Sequence, residues 1–100
     1  MTTIAAVNIT AQNTFTDPVQ LEGYFNLSMT GPTFSATTTV TAQRSVDNVT
    51  WVDVDTFTAP SEEVGFEPEL MWYRVGVKTG EFTASDDINI RLGREEKDRH

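Results

Sequence analysis

The chain contains no cysteine among its 100 residues. That removes disulfides, thiolate nucleophiles and Cys-ligated zinc or iron–sulfur centres. Small secreted domains commonly carry disulfides, so their absence fits a protein made in a reducing cytoplasm or one steadied by partners. Histidine is nearly absent as well: His100 is the single one. No Ser–His–Asp set can form on the body of the chain, and neither an acid–base constellation nor a paired-carboxylate spacing points to an enzyme, so no catalytic residue is assigned. Positive charge is scarce. Seven Lys and Arg stand against 15 Asp and Glu, for a formal charge of −8. Phosphate recognition needs clustered Lys and Arg, which argues against nucleic acid and anionic membranes as partners. No apolar run approaches the roughly 20 residues that span a bilayer, so membrane insertion is not expected. The N-terminal stretch from Met1 to Ala6 offers neither a basic region nor a sustained apolar one, so no signal peptide is expected. Nowhere do apolar residues recur at helical spacing for three turns.

Alternation at period two is abundant. The stretch from Val40 to Phe57 places β-branched residues before and after a turn rich in Ser45, Asp47 and Asn48, which reads as a β-hairpin. Phe34 to Arg44 is the longest β-rich run, with Phe34, Ala36, Thr38, Val40 and Ala42 on one face. After the hairpin turn, Val52 and Val54 are expected in the core and Asp53 and Asp55 outside, because bare carboxylates are rarely buried. Phe25, Leu27 and Met29 alternate in another strand, and Val64 to Phe66 is a short one ended by Glu67-Pro68-Glu69. Leu70 or Met71, Tyr73, Val75 and Val77 form an inward row, as do Ile88, Ile90 and Leu92. Turn signals stand at Thr30-Gly31-Pro32, at Thr79-Gly80-Glu81 and from Ala84 to Asp87.

About seven short strands at this spacing predict an all-β chain, an antiparallel β-sandwich of immunoglobulin-like or jelly-roll-like type. Residues 15–93 would form the sandwich and residues 94–100 a charged tail. Residues 1–14 would form an N-terminal arm whose Ile4, Val7 and Ile9 either make a short edge strand or pair with a neighbouring subunit.

Several motifs have competing readings. Ser45, Asp47, Thr50 and Trp51 resemble the Asp-box hairpin Ser-x-Asp-x-Gly-x-Thr-Trp, one residue short and without its glycine. In families that carry it the box is a structural turn, so a folding role is expected for these residues. Asp53, Asp55 and Asp47, even with Asp86 and Asp87, fall short of the six to eight converging oxygens that calcium takes, and no metal or cofactor is assigned. Pairing of these acids with Arg74, Lys78 or Arg91 across the sheet is the simpler expectation. Tyr24, Trp51 and Trp72 share the outward parity of their strands. They would serve an interface, be covered by loops, or form a platform for sugar rings. The three Asn-x-Ser/Thr sites at Asn8, Asn26 and Asn48 are chance matches in a Thr-rich chain.

Residues 14–93 as a whole resemble the small β-sandwich virion proteins of tailed bacteriophages. The features are the Thr-rich run, the hairpin from Gln43 to Trp51, the exit Phe57-Thr58-Ala59-Pro60 and the strand from Tyr73 to Gly80. The resemblance implies a non-enzymatic structural protein, made in the host cytoplasm and located in the virion. It would self-associate as a homo-oligomer and dock on capsid or tail proteins through strand edges and exposed aromatics. Two other readings stay open: a carbohydrate- or receptor-binding module using Tyr24, Trp51 and Trp72, and an immunoglobulin-like spacer from a larger surface protein.

Overall fold

The computed structural model describes residues 2–31, 34–83 and 86–95. Pro32, in the first expected turn, Ala84 and Ser85, in the last expected loop, and most of the charged tail lie outside the described residues. Among the described residues seven antiparallel strands follow one another: β1 Thr2–Ile9, β2 Thr14–Phe15, β3 Val19–Thr30, β4 Val40–Ser45, β5 Val52–Phe57, β6 Ser61–Val77 and β7 Ile88–Arg94. They hydrogen-bond in the order β1-β7-β3-β6-β4-β5, with β2 beside β6. The fold is an all-β, antiparallel sandwich.

A corner shared by β3 and β6 makes two layers from one continuous sheet. Leu21 lies opposite Met71, yet Gly23 lies opposite Glu67, so Glu22 alone answers Pro68, Glu69 and Leu70. Such an excess of residues on one strand bends the pair. Gly23 turns the corner at φ 83°, a region that glycine enters without a side-chain clash. Pro68 sits where no backbone N–H is required. On one side of the corner lie β1, β7, residues 23–30 of β3 and residues 61–67 of β6. On the other lie β2, residues 19–21 of β3, residues 71–77 of β6, β4 and β5.

Ile9, Leu27, Met29, Ile88, Ile90 and Leu92 from the first layer pack on Val40, Ala42, Val75 and Val77 from the second, with Phe34 and Phe82 closing the end. Each such side chain stabilises the fold by about 1.5–3 kcal/mol relative to exposure. Leu21, Met71 and Tyr73 form a smaller cluster near the corner, against Ile4, Val19 and Phe25. The inward rows from Met71 to Val77 and from Ile88 to Leu92 are buried as their alternation predicts.

Four expectations change. Val64–Phe66 and the strand after Pro68 are one element, because the break at Glu67-Pro68-Glu69 bends β6 without ending it. Residues 34–39 are not strand; only 40–45 of that run joins the sheet. The Asp86 carboxylate accepts hydrogen bonds from the Ser35 N–H at 2.9 Å, the Ser35 hydroxyl at 2.7 Å and the Thr38 hydroxyl at 2.6 Å. These side-chain bonds offer the segment an alternative to a ladder. Val52 and Val54 are exposed. The register skips from Asp55, opposite Ala42, to Asp53, opposite Gln43, so Val54 is the extra residue of a bulge and the parity of β5 breaks there. Finally, β1 pairs with β7 from Thr2–Arg94 to Ile9–Ile88, Ile9 is fully buried, and Val7 and Ile4 pack on the two clusters. Ile9 is therefore not an exposed interface residue; the segment supplies its own chain with a strand.

Candidate functional site

The hairpin between β4 and β5 is closed by side chains. Ser45 donates its hydroxyl to Asp47 Oδ1 at 2.9 Å and accepts the N–H groups of Asp47 and Asn48 at 3.2 and 2.9 Å. The same Asp47 oxygen accepts the Val49 and Thr50 N–H groups at 2.9 and 2.8 Å. The Thr50 and Val49 amides, with Ser45 behind them, hold the Asp47 carboxyl below the usual carboxylate range. Asn48 adopts φ 63°, the left-handed region that asparagine tolerates better than most residues in place of glycine. Replacing Asp47 by alanine is expected to lower the melting temperature by several degrees, with Asp47→Asn losing less because it keeps one acceptor. Thermal denaturation followed by circular dichroism checks this ordering.

Trp51 leaves this turn and covers the outer face of the second layer. The Arg74 guanidinium lies 4.4 Å from the Trp51 ring centroid and 4.5 Å from that of Phe15, between the two rings. Its Nε donates to Gln43 Oε1 at 2.7 Å, and Gln43 Nε2 donates to Asp53 Oδ1 at 2.8 Å. Lys78 completes the row with a 2.5 Å ion pair to Asp53. Lys78 first, then Gln43, lowers the Asp53 pKa, and Asp53 raises that of Lys78. Burial between the aromatics lowers the pKa of Arg74. This cluster fastens β2, the hairpin and β6 together.

Beneath the same layer sits a carboxylate that sequence analysis treats only as a strand breaker. Glu67 is 1% exposed. Arg44 grips it through Nε at 2.6 Å and Nη2 at 2.9 Å, Tyr73 donates its hydroxyl at 2.6 Å, and the Glu69 N–H donates at 3.0 Å. The guanidinium holds the Glu67 carboxyl down at about 2 against the opposing push of burial, helped by the Tyr73 and Glu69 donors. Burial, with the hydrogen bond to Glu67, pushes the Tyr73 phenol up to about 12. The signal lay in the corner itself: an acid beside a proline inside a continuous apolar alternation. Arg44 and Tyr73 are its partners across the fold, 23 and 6 residues away in sequence. Sealed in this way, Glu67 has no oxygen left for exchange with solvent, and it holds the corner.

The remaining feature is an open flank. Among the described residues β5 pairs only with β4, and residues 61–67 of β6 pair only with β3. These two unpaired edges come from opposite layers and lie side by side. Between them is a cleft of about 160 Å³ whose floor is Leu27, Ala42, Val75 and Leu92 and whose mouth is Val54, Asp55, Glu63 and Val64. A second hollow of about 200 Å³ follows along β5 to the hairpin and is lined by Val46, Val52, Val54 and Met71 together with Arg44, Ser45 and Thr50. Val54 belongs to both. Val54 is 47% exposed, Val64 73% and Phe66 57%, and Phe66 packs on Tyr24 with ring centroids 4.9 Å apart.

Of the six interface residues expected from sequence, Tyr24 is exposed beside this flank, Trp51 and Trp72 are half-buried, Ile4 and Val7 are half-buried in β1, and Ile9 is internal. Val52, Val54, Val64 and Phe66, which alternation assigns to the core or to a minor strand, supply the exposed apolar surface instead. Among the described residues no three Asp, Glu or His side chains converge as metal ligands, and no helix is long and apolar enough to cross a membrane. Comparison with protein families, curated proteins and solved structures finds no match.

Proposed function

We propose that this chain is a non-enzymatic structural protein that works by docking its open flank on a larger assembly. The observation that carries the reading is the row of exposed apolar side chains along two adjacent unpaired strand edges. Scattered surface valines are ordinary, but a contiguous apolar strip over an apolar cleft marks an interaction surface. The finer reading, attachment to the capsid or tail of a tailed bacteriophage virion, rests on the resemblance of residues 14–93. Self-association belongs to that resemblance too, though the flank is acidic and suits a different molecule better than a copy of itself.

The sugar-platform alternative is weakened at each of its rings. One face of Trp51 already carries Arg74, Tyr24 leans on Phe66, and Trp72 is half-buried. The docking reading is tested by quantitative mass spectrometry of purified particles from cells expressing the gene. The chain is expected in particles at a fixed ratio to their major protein. Its presence in the lysate but not in particles would reject the virion assignment.

A further inference from the structure

We infer that the flank between β5 and β6 receives an extended basic segment of a partner protein, with apolar side chains at alternating positions that enter the two hollows. The inference rests on the docking reading above and names the chemistry of the partner. Three observations lead to it.

The first is geometry. An unpaired strand edge offers a ladder of N–H and C=O groups, and an added strand satisfies it. Side chains on one face of an extended segment recur about every 6.4–6.8 Å. The two hollows follow one another along β5 and share Val54, so successive inward side chains of one added strand meet first one and then the other. The first hollow, at about 160 Å³, is of the size that holds a benzene-sized group in a protein interior.

The second is charge. Asp55 and Glu63 stand at the mouth of the cleft, and Glu62 adjoins Glu63 on the same edge. Arg44 and Lys78 are engaged by Glu67 and Asp53. Among the described residues no cation pairs with Asp55, Glu62 or Glu63. A Lys or Arg between the apolar positions of the incoming segment would meet these carboxylates.

The third observation argues against the nearest alternative, pairing of this flank with the same flank of a second copy of this chain. The edge a copy would present carries the same Asp55, Glu62 and Glu63, and like charges placed opposite each other across a strand pair are destabilising. A formal charge of −8 on each molecule adds to the repulsion. The same carboxylates that keep the edges of two copies apart favour a basic strand.

The test uses the whole chain and a dye-labelled peptide of sequence Lys-Val-Lys-Phe-Lys-Val-Lys. Fluorescence anisotropy is expected to show binding at low salt. The scrambled peptide Lys-Lys-Val-Val-Phe-Lys-Lys should bind at least tenfold more weakly, and the version with Glu for Lys should not bind. Combining Asp55→Lys with Glu63→Lys should weaken the alternating peptide about tenfold. Both residues are exposed, and circular dichroism of the double variant checks that it folds. On the unaltered chain, amide shifts in nuclear magnetic resonance spectra should concentrate in residues 52–57 and 61–66. Equal binding of the scrambled peptide, shifts centred elsewhere, or a dimer that Val54→Lys dissolves would overturn the inference. A chain that enters particles yet ignores the peptide rejects this inference alone. A chain that binds the peptide yet never enters particles rejects the virion assignment alone.

Discussion

Gly76→Ala is expected to lower the stability of the domain by about 3 kcal/mol, at the upper end of the cost of overpacking. Gly76 lies in β6 opposite Thr41 of β4 and Phe15 of β2. A Cβ there would stand 2.5 Å from Phe15 Cα and 2.8 Å from Phe15 Cγ, and closer still to the Thr14 carbonyl oxygen. Two of these atoms are backbone, so no rotamer relieves the clash and β2 must move. Its departure would break the bond from Thr16 N–H to the Val75 carbonyl at 2.9 Å and that from Val75 N–H to the Thr16 hydroxyl at 3.1 Å. It would also pull the Phe15 ring from Arg74 and unsettle Trp51 on the other side. Gly80→Ala provides the contrast. Gly80 has φ 87° and nothing within 4 Å of a new Cβ, so only backbone preference is lost, about 1 kcal/mol. Urea denaturation of the two variants compares these figures, and near-ultraviolet circular dichroism of Gly76→Ala should show an altered tryptophan signal. Equal losses would mean that β2 does not lie across Gly76.

The difference between these glycines also marks what alternation can and cannot convey. β7 and the second half of β6 were legible because each is a regular strand with one face on the core; Ile88, Ile90, Leu92, Tyr73, Val75 and Val77 are all buried. Alternation fails where the backbone stops being regular. The bulge at Val54 puts Asp53 and Asp55 on opposite faces, so the rule that set the valines inward has no single face to act on. At residues 34–39 the β propensity of threonine loses to Asp86, a partner about 50 residues away that sequence does not place. Arg74 was readable as outward-facing and charged, but its neighbours are Gln43, Phe15 and Trp51 and not a carboxylate. The open flank follows from the same limit. An exposed apolar edge and a buried apolar strand look alike in a string of valines, and only strand order tells them apart.

Strand order also brings Arg44 and Tyr73 together over Glu67, and Glu67→Ala is expected to destabilise the domain by about 3 kcal/mol. The substitution strands the Tyr73 hydroxyl, which is buried with its ring, and opens space at the corner. The Arg44 side chain is 35% exposed and can turn to water, which limits the loss. Glu67→Gln keeps an acceptor for Tyr73 and should lose less. The charge itself is separable through pH. Glu67 is depressed from the ordinary 4.5 to about 2, so the unfolded chain binds a proton at higher pH than the folded one does. The stabilisation is complete above about pH 4.5 and is lost as pH falls towards 2. The Asp47, Asp53 and Asp86 carboxyls are also lowered and contribute in acid, but they are common to both proteins. The stability gap between the native chain and Glu67→Gln should therefore be constant near neutrality and narrow below pH 4.5, at no more than about 1.4 kcal/mol per pH unit. Tyr73 works in the opposite sense. Its pKa is raised to about 12, so its share persists below pH 10 and disappears as the phenol ionises at higher pH. Urea midpoints of the two proteins from pH 2 to 7 measure the acid arm. A gap that does not change over that range would mean that the Glu67 carboxyl titrates alike in the folded and unfolded chains, so that its charge adds nothing net to stability and the corner is held by packing and not by an ion pair.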